Sequence, residues 1–323
     1  MTGWMRLAVN AISGMKMTLT AGCLALTVLS AHAETWRFAL IGDVPYTPYE
    51  RQELPKLLSH IAAQPVDFVA HVGDIKRSND RCDDALYADR RSLFDASPLP
   101  FVLVPGDNEW ADCDRLIAGA FNPEERLARL REFFWPDHLS LGQRRLTLER
   151  QPGPYPEHTR FRHGPVLFVT LNLPGGNNNF GVNEPGSREY RRRNPHVIGW
   201  LRDSFTLARQ EKLRGVVLLF QANPGFRHFA QGQGHRGYRE FLEALRHEVE
   251  QFAGRVVAVH GDTHWSRIDQ PLRDRQGKRL SRFTRVETHG YPVMGWTLGI
   301  IDPDDPVLFR FEAHTWPEAK ATQ

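Results

Sequence analysis

Four times in this chain an apolar run of strand length stops at Gly-Asp. RFALIGD ends at Asp43, DFVAHVGD at Asp74, FVLVPGD at Asp107 and RVVAVHGD at Asp262. In an α/β sheet the carboxyl ends of parallel strands share one edge, and ligands bind in the crevice outside it. Glycine at that edge lets the backbone turn sharply and close to a ligand. The four carboxylates are therefore expected to converge on one pocket. Each Asp taken alone could simply cap a turn, but four at equivalent strand ends favour a shared site. Carboxylates brought together raise one another's pKa, and desolvation adds to the rise. Because buried unpaired charge is so unfavourable, a cation among them is the natural resolution.

Other polar residues fall at matching places. His264 follows Asp262 by two residues, Gln221 and Asn223 follow the apolar run 216–220, and Asn108 and Glu109 follow Asp107. A set this rich in oxygen suits Mg²⁺, Mn²⁺, Ca²⁺ or Fe better than Zn²⁺, as one ion or two. A pair of such ions can clamp the attacking and leaving oxygens of a phosphoryl ester and generate hydroxide at neutral pH. Positioning and charge neutralisation then do most of the work.

The elements that must position these residues alternate along the chain. Strands are expected at 36–41, 67–72, 101–104, 166–171, 216–220 and 255–259, then at 283–287, 295–301 and 307–312. Helices are expected near 51–63, 84–94, 124–134, 195–213 and 238–252, the fourth starting at Asn194-Pro195 by its cap signal. Tyr238, Phe241, Leu242, Leu245 and Val249 make one apolar helical face. Strand and helix recur at βαβ spacing, and fully apolar strands suit a sheet covered on both faces. After residue 265 strands follow one another, so the last sixty residues read as antiparallel. The class is mixed α/β, in one domain over residues 34–323.

With 323 residues, 41% hydrophobic and 24% charged, the chain is neither disordered, collagen-like nor coiled-coil. Net charge is +3, from 41 Lys/Arg against 38 Asp/Glu, and falls further without residues 1–33, which hold Arg6 and Lys16 and no acid. Such a balance lacks the field of a nucleic-acid binder. Residues 17–30 are uncharged and largely apolar, follow Lys16 and precede Ala31-His32-Ala33. That is the pattern of a secretion signal cut after Ala33, too short to span a bilayer comfortably, so no stable membrane anchor is expected after cleavage. The mature protein is then secreted or periplasmic. Its two cysteines, Cys82 and Cys113, are expected to pair in an oxidising space, closing a loop around the third strand.

Taken in order, these motifs resemble those of the calcineurin-like metallophosphoesterases, over residues 36–312. The counterparts are Gly42-Asp43-Val44-Pro45, Gly73-Asp74, Gly106-Asp107-Asn108-Glu109, Gln221 to Asn223, and Gly261-Asp262-Thr263-His264. The resemblance implies an α/β/β/α sandwich of two mixed sheets. It also implies a metal site drawn from Asp43, Asp74, Asp107, Asn108, Gln221, Asp262 and His264, with Asp74 bridging. Several family histidines are replaced. Pro45, followed by Tyr46, stands at the first, Asn108 where a substrate-contacting His is expected, Gln221 or Asn223 at the fourth motif, and Asp262 at the first His of the last. Asn108, His260 and His264 are the candidate catalytic residues. Strand alternation puts His260 on the face of Asp262, whereas His71 packs in the sheet.

Residues 173–180 form a Gly/Asn-rich loop after a strand, and Asn172 and Asn177, together with Asn223, are the candidate substrate contacts. Arg191, Arg192 and Arg193 could anchor an anion, and Trp110, Trp265 and Trp296 could wall the pocket. Neither a Gly-x-Ser-x-Gly elbow nor a P-loop occurs. The expected function is an exported metal-dependent phosphoesterase acting on a small-molecule phosphate ester through metal-activated water. The alternative is a catalytically degenerate binding protein of the same fold.

Overall fold

The computed structural model describes residues 1–3 and 34–317. The expected secretion signal and its cleavage point after Ala33 lie outside the described residues. The chain divides into two units, Met1–His32 and Ala33–Gln323, of which the second is described below.

Among the described residues twelve strands build this unit: β1 (Trp36–Ile41), β2 (Phe68–His71), β3 (Phe101–Leu103), β4 (Glu149–Arg150), β5 (Thr159–His163), β6 (Val166–Thr170), β7 (Gly215–Leu219), β8 (Arg255–His260), β9 (Arg267–Asp269), β10 (Phe283–Glu287), β11 (Gly295–Ile301) and β12 (Phe309–Thr315). They form two sheets, in the orders β12-β11-β1-β2-β3 and β4-β5-β6-β7-β8-β10-β9. Both are mixed. β1, β2 and β3 run parallel, β11 pairs antiparallel with β1, and β12 pairs antiparallel with β11. β6, β7, β8 and β10 run parallel; β5 pairs antiparallel with β6 and β4 antiparallel with β5 on one side, and β9 pairs antiparallel with β10 on the other.

Alternation along the strands sorts the core into three layers. Phe38, Leu40, Phe68 and Ala70 from one sheet meet Phe168, Val217, Leu219, Val257 and Val259 from the other. Ala39, Ile41 and Val69 point the opposite way, onto Leu54, Leu58, Phe94 and Leu130 of the helices Pro48–Ala62, Asp84–Asp95 and Pro123–Phe134. Val216, Leu218, Val256 and Ala258 pack on Trp200, Phe205, Phe241 and Leu245 of the helices Glu184–Gln210 and Arg236–Gln251. This is the expected α/β/β/α sandwich. Phe168 sits at its centre, with rings of Phe38 and Phe68 edge-on at 5.0 and 5.1 Å. Such pairs add ~0.5–1.5 kcal/mol each beyond burial.

Two expectations are corrected. The fourth long helix starts at Glu184, not near Pro195, because Asn183 caps it by accepting from the Gly186 amide and Pro185 fills its first turn. Pro195 lies inside the helix. The segment after residue 265 is not wholly antiparallel. Edge strand β9 reverses the chain, so β10 returns parallel to β8.

Candidate metal centre

Asp43, Asp74, Asp107 and Asp262 leave the carboxyl ends of β1, β2, β3 and β8, so the acids come from both sheets rather than from one edge. The seam between the sheets is closed directly, as the amide of Asp262 donates to Asp43 Oδ1 and Oδ2 at 3.1 and 3.2 Å. Asp43, Asp74, Asp262 and His264 all have positive φ, of 51°, 58°, 75° and 58°. That left-handed conformation is uncommon outside glycine, and such residues gather at functional sites. The preceding glycines serve mainly by their missing side chain. A Cβ on Gly106 would lie 2.1 Å from Asp74 Oδ1, and one on Gly261 2.1 Å from Asp43 Oδ2. Gly106 and Gly261 therefore make room for another motif's carboxylate, while a Cβ on Gly73 would meet the Gly106 amide and Gln221 and one on Gly42 would meet Val72 and Thr288.

Asp74 is the hub. Its Oδ2 accepts from Asn108 Nδ2 at 2.9 Å, from the Tyr46 hydroxyl at 3.1 Å and from Gln221 Nε2 at 3.2 Å. Its Oδ1 accepts from the Asn108 amide at 3.2 Å. The Tyr46 hydroxyl also lies 3.4 Å from Asp43 Oδ1, so the phenol stands between the first two acids. A capping box of Thr47 and Glu50 starts the helix Pro48–Ala62 immediately after it and holds that turn in place. Glu109, fully buried, ties two of the loops by accepting from the amides of Gly106, Asp74 and Ile75. His264 Nε2 is 3.6 Å from Asp43 Oδ1, and its Nδ1 meets the Tyr291 carbonyl at 2.7 Å.

Electrostatics follow from this crowding. Burial above all, then Asp262, Asp107 and Glu287, holds the Asp43 carboxyl well above its usual range despite the Asp262 amide. Burial, then Asp107, Glu109 and Asp43, does the same to Asp74. Burial with Asp262 nearby pushes Asp107 up to about 6, and burial pushes Asp262 to about 6 and Glu109 to about 7. Carboxyls that so resist ionising together are a donor set that fits a hard divalent cation. Among the described residues no three His, Cys, Asp or Glu side chains close on a single point. Instead Asp74 Oδ2 is satisfied by protein donors, with which an entering ion must compete.

Of the residues expected from sequence, Asp43, Asp74, Asp107, Asn108, Gln221, Asp262 and His264 are brought together. Asn223 joins them through its amide, which donates to Asp262 Oδ2 at 2.8 Å. His260 is fully buried, stacked 6.0 Å from the Phe220 ring, with Nδ1 on the Gly261 carbonyl and Nε2 without a hydrogen bond, 4.0 Å from Glu287 Oε2; burial lowers its pKa to about 3. Asn172 is buried against Glu157. Asn177 and Asn178 take internal partners, the Gly237 amide and carbonyl. The reason for the Asn-rich loop is conformational: Gly176, Asn177, Asn178 and Asn179 all have φ near +60°, which Gly and Asn tolerate best. Arg193 is buried on Glu189 and on the Asn172 carbonyl, while Arg192 pairs with Glu124 on the surface. Trp110 and Trp296 are core residues and Trp265 is exposed.

A cleft of about 390 Å³ opens over the acids. Besides the expected residues it is lined by Tyr46, Arg77, Asp112, Arg115 and Tyr291. These sit on irregular loops where no periodicity marks them; only nearness to a Gly-Asp motif could have pointed to Tyr46 and Asp112. The expected disulfide is present, Cys82 to Cys113 with Cα atoms 5.8 Å apart, and it staples the loop after Asp74 to the loop after Asp107. No helix among the described residues is long and apolar enough to cross a membrane.

Comparison with known proteins agrees with this architecture. The family profile described as calcineurin-like phosphoesterase matches residues 37–266. A dimetal phosphatase from Danio rerio superposes with a TM-score of 0.53 at 15% identity, covering 83% of this chain and 95% of that one. The anchor in the inner membrane complex of Plasmodium, GAP50, gives 0.53 at 10% identity, covering 87% and 84%. None of the curated proteins matches the chain.

Proposed function

The chain belongs to the calcineurin-like phosphoesterase family, and from that membership we propose that it hydrolyses small phosphate esters with the help of a divalent cation held by Asp43, Asp74, Asp107, Asp262 and His264. The observation that carries this reading is the set of four strand-end carboxyls, drawn from two sheets and driven up in pKa by burial and by neighbouring carboxylates. A bound divalent ion supplies Lewis acidity and lowers the pKa of a coordinated water. The residues of the chain do the rest. Asp74, locked by Asn108 and Gln221, orients the donor set, and Asn108, whose donors go to Asp74, the Tyr46 hydroxyl and the Lys76 carbonyl, acts by holding Asp74 in place. His264, fixed through Nδ1 by the Tyr291 carbonyl, presents Nε2 to the acids. Mg²⁺, Mn²⁺, Ca²⁺ and Fe suit these oxygens better than Zn²⁺. The reading includes export by the N-terminal signal, cleavage after Ala33, and a mature single domain in a secreted or periplasmic setting, which the disulfide suits.

A second reading is a metal-poor binding protein. It is favoured by the three protein donors that already satisfy Asp74 Oδ2, and by a fold shared with an anchor protein as well as with a phosphatase. Asp74→Asn separates the two. For the enzyme, turnover of an aryl phosphate in Mn²⁺ or Mg²⁺ falls at least a hundredfold while the melting temperature barely moves. For the binding protein, the wild type shows no turnover to lose.

A further inference from the structure

We propose that Arg77 and Arg115 form the anion grip of the cleft and make it selective for phosphate monoesters over diesters, an inference that rests on the phosphoesterase reading above. The cleft is lined by the carboxyls of Asp74, Asp107, Asp112 and Asp262. A monoester is a dianion near neutral pH, and one divalent ion offsets only part of this negative field. Asn108, at the position where the family resemblance expects a substrate-contacting histidine, carries no charge. The missing positive charge is supplied from the flanks instead.

Arg77 follows Asp74 by three residues, Arg115 follows Asp107 by eight, and both line the same cleft. Each is about half exposed and each is oriented by one carboxylate, Arg77 by Asp80 at 2.9 Å and Arg115 by Asp112 at 2.8 Å. A guanidinium carries five donors, so one carboxylate partner leaves others to face a ligand. Arg115 lies near enough to Asp107 for its charge to oppose the rise in that carboxyl's pKa. The Cys82–Cys113 bridge joins the two loops that carry these arginines, with both sulfurs within 3.8 Å of the Asn108 carbonyl oxygen. The bridge thus holds the two loops together beside the acids and limits how far apart the arginines can move. The Arg191–Arg193 run does not serve, since none of its three arginines lines the cleft. A terminal phosphoryl group offers three oxygens and two charges to such a pair, whereas a diester offers two oxygens and one charge.

The test uses the full-length, metal-loaded protein with p-nitrophenyl phosphate as monoester, bis(p-nitrophenyl) phosphate as diester, and inorganic phosphate as competitive inhibitor. In Arg115→Gln and Arg77→Gln, kcat/KM for the monoester is expected to fall about tenfold or more, chiefly through KM, as for a lost charge-assisted contact. Phosphate inhibition weakens in step, the diester loses less than about threefold, bound metal by elemental analysis is unchanged, and Arg115→Lys recovers part of the loss. Equal losses on both esters, or no loss on the monoester, overturn the proposal while leaving the phosphoesterase reading intact. A wild type that turns over neither ester and binds no phosphate defeats that reading, and the grip with it.

Discussion

Asp112 offers the cleanest way to measure the electrostatic load of the cleft, because it lines the acid cluster without being among the proposed ligands. It sits on the short turn Ala111–Asp114 with its side chain 16% exposed. Burial first, then the charge of Asp107, pushes its pKa from 3.8 to about 6. The folded state therefore binds this proton more tightly than the unfolded state. Its contribution to stability is fully present below about pH 4 and is lost as pH rises through 6. A shift of about 2 units corresponds to ~3 kcal/mol as an upper bound. Partial solvent access, and the loss of the pair with half-exposed Arg115, reduce the net gain from Asp112→Asn to ~1–2 kcal/mol at pH 8. For a chain of this size that is a rise in melting temperature of roughly 2–6 °C. Thermal melts in excess chelator at pH 4, 6 and 8 read it directly. The variant should match wild type at pH 4 and melt higher at pH 8. A variant that melts lower at pH 8, or that gains equally at pH 4, refutes the reasoning.

Three further outcomes are expected. Tyr46→Phe removes the hydroxyl that competes for Asp74 and Asp43, so Mn²⁺ should bind roughly fivefold more tightly by calorimetric titration, as for one hydrogen bond of ~1 kcal/mol; weaker binding would make the phenol a ligand instead. Replacing Cys82 by Ser opens a link between residues 31 apart in sequence, and the denaturation midpoint should report a loss of ~3–4 kcal/mol that reductant reproduces in the wild type. Arg193→Met strands Glu189, which is 5% exposed, and should cost ~3–5 kcal/mol in urea unfolding; a loss under 1 kcal/mol would show that the pair does not hold the Asn172–Asn179 loop.

The strands that carry the acids were legible because each is an uninterrupted apolar run closed by Gly-Asp. β9, reading RID, is an edge strand, and β5, reading TRFRH, is covered on its outer side only by the two-residue β4; both have too few apolar residues to announce themselves. That glycine is needed at the motifs could be read from sequence. That Gly106 and Gly261 admit another strand's carboxylate could not, since they meet Asp74 and Asp43 only in the folded packing. The long helix was misplaced because Asn194-Pro195 and Asn183-Glu184-Pro185 are both start signals, and packing of Tyr190 and Arg193 decides for the earlier one. Tyr46 was legible only as a neighbour of the first motif. Its hydroxyl returns to Asp43 because the backbone turns through positive φ at that residue, which no periodicity reveals. Arg77 and Arg115 became partners in one cleft only through the disulfide and the loops that it joins.

The central claim is that carboxylates from four separate strand ends hold a cation jointly. Equilibrium dialysis of the purified protein against Mn²⁺, followed by elemental analysis of wild type and Asp43→Asn, tests it most directly. At least one ion per wild-type chain, lost or greatly weakened in the variant, is the expected result. No ion retained by the wild type, or equal retention by both, would contradict it.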